Sequence, residues 1–443
     1  MRSFETRIKA AFASLLLFLL YCLPASSQDA AMFRGNPRHT GAYESGPIRK
    51  FSGVKWKFHT GGMLIGSPAV AAGVVYAGSA DGNLYALDAE SGAQKWKFDA
   101  KSRVPSTPAV SGGLIYFGAY DGNFYALDAS TGALKWKFQT GGERRFAARH
   151  LHGSQPVAET MPDPFDCYLS SPVVGKGAVY FGSGDGNVYS LNAASGALNW
   201  KFKTGEVVHA SPALADGVVF IGSWDSYFYA IDAASGQEKW KFKTGEDHDT
   251  SNQVGIQSSA AVVDGMVYFG CRDSHLYALD ASTGEKKWAF SGEGSWVVSS
   301  PAVRDGRVYF VTSDTSLLYA VDAKSGAVLH SVGFNHWYLY SSPGLAGDML
   351  YFGSTQGKLV AVDLAGFRPA WSFETDGMKG NGPAYTKPDG APNEPALYRS
   401  DFYDDMVAGV DRVMSMGAIL SSPVIVQNVV YVGSADGNLY ALM

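Results

Sequence analysis

Residues 81–98 read DGNLYALDAESGAQKWKF, and close copies of this phrase return along almost the whole chain. The central Tyr-Ala-Leu-Asp element occurs, intact or with substitutions, in eight places. The eight copies begin at Tyr85, Tyr125, Tyr189, Tyr229, Tyr277, Tyr319, Val360 and Tyr440. Self-similarity at a spacing of roughly forty residues is typical of repeat proteins and propellers. The sequence therefore predicts one array of repeats rather than several domains.

Each repeat contains four short strands. Residues 69–78, ahead of the phrase, hold two apolar runs, and the phrase adds two more, with Gly, Asp, Asn and Ser clusters between them. Apolar runs bounded by such clusters indicate strands and turns. Asp-Gly and Ser-Gly between strands favour hairpins, because glycine adopts positive φ easily. The sequence predicts an all-β fold of four-stranded antiparallel units, with serines such as Ser299 and Ser300 lining its narrow centre.

A Trp-x-Phe element follows most copies of Tyr-Ala-Leu-Asp. One extra copy at Trp56 precedes the first complete repeat, whereas no copy follows the last repeat, which ends at Met443. A closed ring shares its last sheet between the two termini and leaves no exposed edges there. We predict an eight-bladed β-propeller over residues 54–443, closed by residues near 54–60 pairing with the strand that contains residues 438–442. The tryptophans interpreted as packing between blades are Trp56, Trp96, Trp136, Trp200, Trp240, Trp288 and Trp371.

Residues 1–27 have the pattern of a secretory signal peptide. Basic residues are followed by the apolar run AFASLLLFLL at residues 11–20 and then by small residues before Gln28. That run is short for a membrane-spanning helix, and bulky Tyr21 before Cys22 argues against a lipid anchor. We predict a periplasmic or secreted protein with no transmembrane segment after cleavage, in which residues 28–53 form an N-terminal arm.

Charge and cysteine content bear on which partners the protein binds and on whether it contains disulfides. The full chain has a formal charge of −5, and the predicted signal peptide is net basic, so the mature chain is more acidic still. That balance argues against nucleic-acid binding. Cys167 and Cys271 remain after cleavage and fall in the third and fifth blades, so we expect free thiols rather than a disulfide framework. We expect the protein to be a monomer.

Three connections between blades are longer than the rest. They cover residues 141–168, 245–257 and 374–419, and we name them insertions 1, 2 and 3. Each follows a Trp-x-Phe strand and precedes the next blade. Because strands alternate in direction within a blade, such connections leave the ring on the same side as the turns between second and third strands. We predict that all three insertions lie on one face, the decorated face, and that this face carries function.

Tryptophan and histidine side chains outside the repeat positions, His209 and His275 among them, lie in these connections and turns. Aromatic rings near a channel mouth can stack on a flat ligand, and imidazoles can bind a metal or accept a proton. The alternative is that these side chains fill loop cores and cap the channel. The candidate residues of a ligand or partner face are Arg144, Arg145, Arg149, His150, His152, Trp224, His248, Trp296, His336 and Trp337.

Insertion 1 is locally basic. Arg144, Arg145 and Arg149 suit a small anion or a partner's carboxylate, because guanidinium groups bind such groups bidentately. The alternative is that these arginines pair with acids of the same insertion, such as Asp163 and Asp166.

Insertions 2 and 3 contain candidate metal ligands. Carboxylate oxygens suit calcium, although the EF-hand spacing is missing, and the alternative in insertion 3 is a solvated acidic lid. The spacing in insertion 3 predicts that three of its aspartates share one face of a short helix. The candidates are Asp247, Asp249, Asp401, Asp404 and Asp405.

The pattern Ala-x-Asp-x-x-Ser/Thr-Gly-x-x-x-Trp at residues 86–96, 126–136 and 278–288 resembles the tryptophan-docking repeat of the PQQ-like (pyrroloquinoline-quinone-type) β-propeller superfamily. The resemblance covers nearly all of the predicted mature chain. It implies one of two branches: quinoprotein dehydrogenases, which hold PQQ and a calcium ion, or non-catalytic propellers similar to the BamB-like component of outer-membrane assembly. The chain lacks the vicinal cysteine pair of many such dehydrogenases, and it differs from BamB-like propellers in its long insertions.

Two functions follow from this resemblance. The first is an exported, non-catalytic scaffold that binds an envelope protein or small ligand through the decorated face. The second is a small PQQ-dependent alcohol or sugar dehydrogenase, with Trp296 or Trp337 stacking the quinone, Arg144 or Arg145 binding its carboxylates, and Asp249 as the catalytic base. We favour the first, because no complete site of the dehydrogenases is present in the sequence.

Overall fold

The computed structural model describes residues 29–245 and 254–443. Eight four-stranded antiparallel blades form a ring, and helices make up only a small part of the chain. The predicted eight-bladed propeller is confirmed. We number the blades along the chain and give the strands of each blade from the innermost to the outermost. In blade 8 the outermost strand comes from the N-terminal side of the propeller.

The strands of blades 1 to 4 are, in order, Ala69–Ala71, Val74–Gly78, Asn83–Asp88 and Gln94–Asp99; Ala109–Ser111, Leu114–Gly118, Asn123–Asp128 and Leu134–Gln139; Val173–Gly175, Ala178–Gly182, Asn187–Asn192 and Leu198–Lys203; and Ala213–Ala215, Val218–Gly222, Tyr227–Asp232 and Glu238–Lys243. Those of blades 5 to 7 are Ala261–Val263, Met266–Gly270, His275–Asp280 and Lys286–Ser291; Ala302–Arg304, Arg307–Val311, Leu317–Asp322 and Val328–Gly333; and Gly344–Ala346, Met349–Gly353, Lys358–Asp363 and Arg368–Glu374. Blade 8 contains Val424–Val426, Val429–Gly433, Asn438–Leu442 and, from the N-terminal side, Val54–His59.

The remaining elements belong to the arm and the insertions. Strand Ala42–Tyr43 pairs in parallel with the innermost strand of blade 7, and Ala147–Arg149 pairs with Thr160–Pro162 in insertion 1. Insertion 3 contains helices α1 (Asp376–Tyr385), α2 (Glu394–Leu397) and α3 (Tyr403–Ser415). Short 3-10 turns occur at Phe33–Gly35 and Leu151–Gly153.

The N-terminal strand closes the ring. Val54–His59 pairs antiparallel with Asn438–Leu442, with Lys57 opposite Tyr440. The predicted sharing of the last blade between the two ends of the propeller is therefore confirmed. Blade 8 therefore has four strands, as the other blades do.

The repeat tryptophans pack across the gaps between blades. The Trp96 indole N–H donates to the Ala129 carbonyl oxygen of the next blade at 3.1 Å, and the ring lies against Gly132. Gly132 has a φ of 74°, and a Cβ there would lie 2.7 Å from the Trp96 ring, so the turn needs glycine for two reasons. The same bond to the next blade is made by Trp56, Trp136, Trp200, Trp240 and Trp288. Trp371 differs from the prediction, because its indole N–H donates to the Ile48 carbonyl oxygen of the N-terminal arm at 2.8 Å.

A ring of hydroxyl groups joins the innermost strands. The Ser67 N–H donates to the Thr107 hydroxyl at 3.0 Å, and the Thr107 N–H donates to the Ser171 hydroxyl at 3.0 Å. The same step from blade to blade is made by Ser171, Ser211, Ser259, Ser300 and Ser422. Serines therefore line the centre of the ring, as the sequence predicts.

The N-terminal arm lies across the innermost strands. The Ala30 carbonyl oxygen accepts a hydrogen bond from Val70 of blade 1, and the Gly41 carbonyl oxygen accepts one from Leu345 of blade 7. Between these two ends of the arm, further carbonyl oxygens accept from the N–H groups of Val110, Leu214, Val262 and Val303. In each blade the insertion or connection comes first along the chain, then the hydroxyl residue of the ring, and then the N–H group that donates to the arm. The arm therefore crosses the channel on the side away from the insertions.

Candidate functional site

Insertions 1 and 3 join above the decorated face. Gln155 and Phe402 form a parallel β-bridge, in which the Gln155 N–H donates to the Asp401 carbonyl oxygen at 2.8 Å. The Tyr403 N–H donates to the Gln155 carbonyl oxygen at 2.9 Å, and the Tyr403 hydroxyl donates to the Pro162 carbonyl oxygen at 2.7 Å. Two segments far apart in the sequence thus form one surface.

Helix α3 covers the mouth of the channel. Its apolar side chains Val410, Val413 and Met414 pack with Ile65 and Leu420 near the ring axis. The cavity on the axis has a volume of only about 50 Å³. The axis therefore offers far less room than the roughly 300–1,000 Å³ of a typical small-molecule site.

A buried ion pair anchors insertion 1 to blade 5. Arg272 Nη1 donates to Asp163 Oδ2 at 2.6 Å, and neither side chain is exposed. Asp163 Oδ1 accepts from the Phe165 N–H at 2.8 Å and lies 3.3 Å from His152 Nε2. Burial would raise the pKa of Asp163, but Arg272 and His152 outweigh burial and hold this pKa below its usual range. Asp163 is therefore ionised.

Two indole rings enclose the Arg272 guanidinium. Its central carbon lies 3.7 Å from the Trp296 ring centre and 4.7 Å from the Trp224 ring centre. Nε and Nη2 of Arg272 are buried with no hydrogen-bond partner within residues 29–245 and 254–443. Cation–π attraction, worth about 2 kcal/mol or more in desolvated sites, thus takes the place of those missing bonds.

A second buried group surrounds His209. Its Nδ1 lies 2.7 Å from Asp166 Oδ1, and its Nε2 lies 3.5 Å from Glu143 Oε2. Burial would lower the pKa of His209, but Asp166 and Glu143 outweigh burial and raise this pKa to about 10. The imidazole is therefore a cation at neutral pH, and it holds insertion 1 against blades 3 and 4.

The His209 group predicts a specific pH dependence. An unfolded histidine has a pKa near 6.5, whereas the folded value is about 10, so the stabilisation is complete below pH 6.5 and is lost as the pH rises through 10. We expect the urea midpoint to fall between about pH 7 and about pH 9, and His209→Gln to flatten that slope. The exposed His336→Gln serves as the control. An unchanged slope in His209→Gln would contradict this assignment.

A pocket of about 370 Å³ opens between the joined insertions and the upper turns of blades 5 to 7. Its size is that of a small-molecule site. Aromatic rings form most of its walls, and two carboxylates lie among the lining groups. The pocket is lined by His152, Phe165, Trp296, Asp314, Tyr338, Tyr340, Tyr398, Asp401 and Met406, among others. We take this pocket as the candidate functional site.

The predicted face residues are distributed unevenly around it. His152 and Trp296 line the pocket, whereas Trp224 is buried against Arg272. Trp337 is buried too, and its indole N–H donates to the Gly390 carbonyl oxygen at 2.7 Å. The exposed candidates are Arg144, Arg149, His150 and His336. His248 lies outside the described residues.

The arginines of insertion 1 do not pair as expected. Arg144 Nη2 donates to both carboxylate oxygens of Glu206 at 2.8 Å. Asp163 and Asp166 instead bind Arg272 and His209, because those cations come from the blades beneath. Arg145 lines a separate pocket of about 140 Å³, beside Cys167 and the apolar side of α3.

The aspartates of insertion 3 do not share a helix face. Asp401 precedes α3 and is exposed at the pocket, and Asp404 is exposed in the first turn of the helix. Asp405 binds Arg412 at 3.1 Å and accepts from the Ser400 N–H at 2.8 Å. Asp247 and Asp249 lie outside the described residues. In the described residues, no group of three or more His, Cys, Asp or Glu side chains is placed to hold a metal ion.

The described tryptophans do not fit a quinone stacked over the channel. Phe146 stacks on Trp224 at 4.5 Å, and Arg272 lies against Trp224 and Trp296. Trp224, Trp296 and Trp337 are 2%, 6% and 2% exposed, so none leaves a whole ring face free for a quinone to stack on. Helix α3 also occupies the channel mouth. The proposed base, Asp249, lies outside the described residues.

Arg272 and the tyrosines of the pocket were not predicted from the sequence. Arg272 occupies the repeat position just before the turn aspartate, where Ala80, Gly184 and Trp224 stand in other blades. The sequence signal that could have identified Arg272 was this variation at one position of an otherwise regular repeat. The tyrosines gave no such signal, because Tyr398 reaches the pocket only through the fold of insertion 3.

Both cysteines are free, as the blade assignment predicts. Burial raises the pKa of the Cys167 thiol to about 12 and that of the Cys271 thiol well above its usual value. The two thiols are therefore poor nucleophiles at neutral pH. No helix in the described part of the chain is long and apolar enough to span a membrane.

The fold and its repeats define a β-propeller of the PQQ-like class. A sequence model of one family matches residues 49–162, 160–291 and 250–386. The chain belongs to that family, which is described as outer membrane protein assembly factor BamB. Sequence comparison with curated proteins finds no match.

Solved structures with the same fold include both branches of the class. BamB from Moraxella catarrhalis is 17% identical, with a TM-score of 0.62, and the match covers 88% of this chain and 97% of that one. A europium-containing methanol dehydrogenase is 16% identical, with a TM-score of 0.68, covering 96% and 100%. Quinohemoprotein alcohol dehydrogenase from Comamonas testosteroni is 14% identical, with a TM-score of 0.68, covering 96% and 82%. At these identities the likeness concerns the fold alone.

Proposed function

We propose that this protein is an exported, non-catalytic binding protein that holds an envelope protein on its decorated face. The observation that carries the proposal is the surface formed where insertions 1 and 3 join. Phe402 at the junction is 58% exposed, and Val157, two residues beyond Gln155, is 47% exposed. Exposed aromatic and aliphatic side chains beside a rigid framework suit protein recognition.

The framework holds this surface in place before a partner arrives. The Asp163–Arg272 and Asp166–His209 pairs fix insertion 1 to the blades, and Tyr403 links insertion 3 to insertion 1. A surface ordered in advance loses less conformational entropy on binding. The family to which the chain belongs and the pattern of residues 1–27 support an envelope location and an envelope partner.

Photo-crosslinking in cells tests this surface. A benzophenone amino acid at Val157 is expected to crosslink to an exported protein. Phe402→Ser should weaken binding about thirtyfold and reduce that crosslink accordingly, since central aromatic contacts often contribute about 2 kcal/mol. Leu198 is the matched control, because it is also 47% exposed but begins the outermost strand of blade 3, on the opposite rim. Equal crosslinking at Leu198 and Val157, or no effect of Phe402→Ser, would argue against a partner on this face.

A further inference from the structure

We propose that the pocket between insertions 1 and 3 binds an organic cation, with its ammonium or guanidinium group held by the aromatic walls and by the carboxylates of Asp314 and Asp401. This site is separate from the exposed Phe402 side chain. The inference does not depend on whether a protein partner binds there.

Asp314 supplies the strongest evidence, because its carboxylate is free of a bond that six of the other blades use. In those blades the turn aspartate accepts a hydrogen bond from the tyrosine hydroxyl four residues later, as from Tyr85 to Asp81 at 2.8 Å. The same bond is made in blades 2, 3, 4, 5 and 8. Blade 6 has one extra residue in this turn, so the fourth position holds Leu318 and the tyrosine is Tyr319. The Asp314 carboxylate makes no bond to Tyr319. It accepts a hydrogen bond from the neighbouring Ser313 hydroxyl at 2.5 Å and lines the pocket.

The charges around the pocket favour a cation. Asp314 and Asp401 are both exposed, and neither forms an ion pair within the described residues. The lining contains no lysine or arginine among the described residues. His152 points its Nε2 at Asp163, and the charge of Arg272, behind Trp296, is balanced by the same carboxylate. An anionic ligand would therefore meet two unpaired carboxylates.

The aromatic walls suit the same kind of ligand. Tyr338 and Tyr340 stack with ring centres 6.2 Å apart, and Phe165 lies 6.0 Å from Tyr340 and 6.2 Å from Trp296. The face of an aromatic ring attracts a cation. The hydroxyls of Tyr338, Tyr340 and Tyr398 make no hydrogen bond to any of the described residues, so they remain available to a ligand. Burial raises the pKa values of Tyr338 and Tyr398 and keeps both phenols neutral.

The chain already uses this chemistry next to the pocket. Trp296, which lines the pocket, also holds the Arg272 guanidinium at 3.7 Å, with Asp163 as counter-ion. A ligand cation against Tyr338 and Tyr340, with Asp314 as counter-ion, would repeat that arrangement in an open site. The ligand can be a free quaternary ammonium compound or a lysine or arginine side chain of a protein segment.

Calorimetry on the mature chain tests the inference with three cations: choline, N-acetyl-lysine methylamide and N-acetyl-arginine methylamide. We expect at least one to bind, and its neutral isostere to bind at least about tenfold more weakly. The isosteres are the tert-butyl analogue of choline and the N-acetyl methylamides of norleucine and citrulline. Tight choline binding would identify a free ammonium compound as the ligand. Preference for a capped amino acid would identify a protein side chain.

Substitutions show whether the cation occupies this pocket. Asp314→Asn and Tyr338→Leu should each weaken binding severalfold, because one removes the counter-ion and the other an aromatic wall. Asp264→Asn, an exposed turn aspartate at the opposite end of blade 5, is the matched control. Circular dichroism would establish that the variants are folded.

Three results would overturn the inference: no binding by any of the three cations, equal binding of the neutral isosteres, or equal weakening by Asp264→Asn. Binding of a neutral sugar in preference to all three cations would also overturn it. None of these results would affect crosslinking at Val157, so the failure of this inference and the failure of the proposed function are distinguishable.

Discussion

Replacing Arg272 by methionine is expected to lower the free energy of unfolding by about 3–5 kcal/mol. The substitution leaves the fully buried Asp163 carboxylate without its cation. It also removes the guanidinium from between Trp224 and Trp296. Loss of one partner of a buried ion pair is costly because the remaining charge cannot be solvated. Insertion 1 depends on this contact, so its local order should fall as well.

Urea unfolding followed by tryptophan fluorescence measures this loss. Arg149→Met changes an exposed arginine of the same insertion and should shift the midpoint little. Asp163→Asn keeps the acceptor for the Phe165 N–H, so the double variant Arg272→Met/Asp163→Asn should cost less than the two single changes together. Additive effects in the double variant would show that the two side chains do not act as a pair.

The repeat determines how much of the fold can be predicted from the sequence. Strand order, blade count and ring closure follow from side chains that recur at fixed positions, such as Trp96 and Gly132. The course of the arm does not follow from them. Ala30 and Gly41 contact the ring through backbone carbonyl oxygens, which leave no pattern of side chains to recognise. Backbone contacts of this kind become visible only in three dimensions.

The candidate site was predicted less completely than the fold, because its residues do not recur from blade to blade. The sequence predicts insertions 1 and 3 on one face, and in the structure they meet at Gln155 and Phe402. For the tryptophans outside the repeat positions it left two roles open, ligand binding or filling of loop cores, and Trp224 and Trp337 are buried by contacts within the protein. The more informative signal was the extra residue in the turn at Asp314, a departure from the repeat rather than an unusual side chain. In a repeat protein, a change of spacing can release a structural residue for another role.

Replacing Trp56 by alanine is expected to cost about 3–5 kcal/mol, as for other large core truncations. The Trp56 indole donates to the Ala89 carbonyl oxygen at 3.0 Å and covers Gly92, so it packs blade 8 against blade 1. Trp96 makes the equivalent contacts between blades 1 and 2, and Trp96→Ala is the matched control.

The two variants should differ in where the ring opens. The strand that carries Trp96 follows its neighbour, Asn83–Asp88, through a short turn, so the two remain close after the indole is lost. Val54–His59 and Asn438–Leu442 are joined by no such turn, because they come from opposite ends of the propeller. Trp56→Ala should therefore accelerate hydrogen exchange in both of these strands, whereas Trp96→Ala should leave their exchange nearly unchanged. Equal protection of the closing strands in the two variants would show that backbone pairing alone holds the ring shut, and that the indole at the junction contributes only packing.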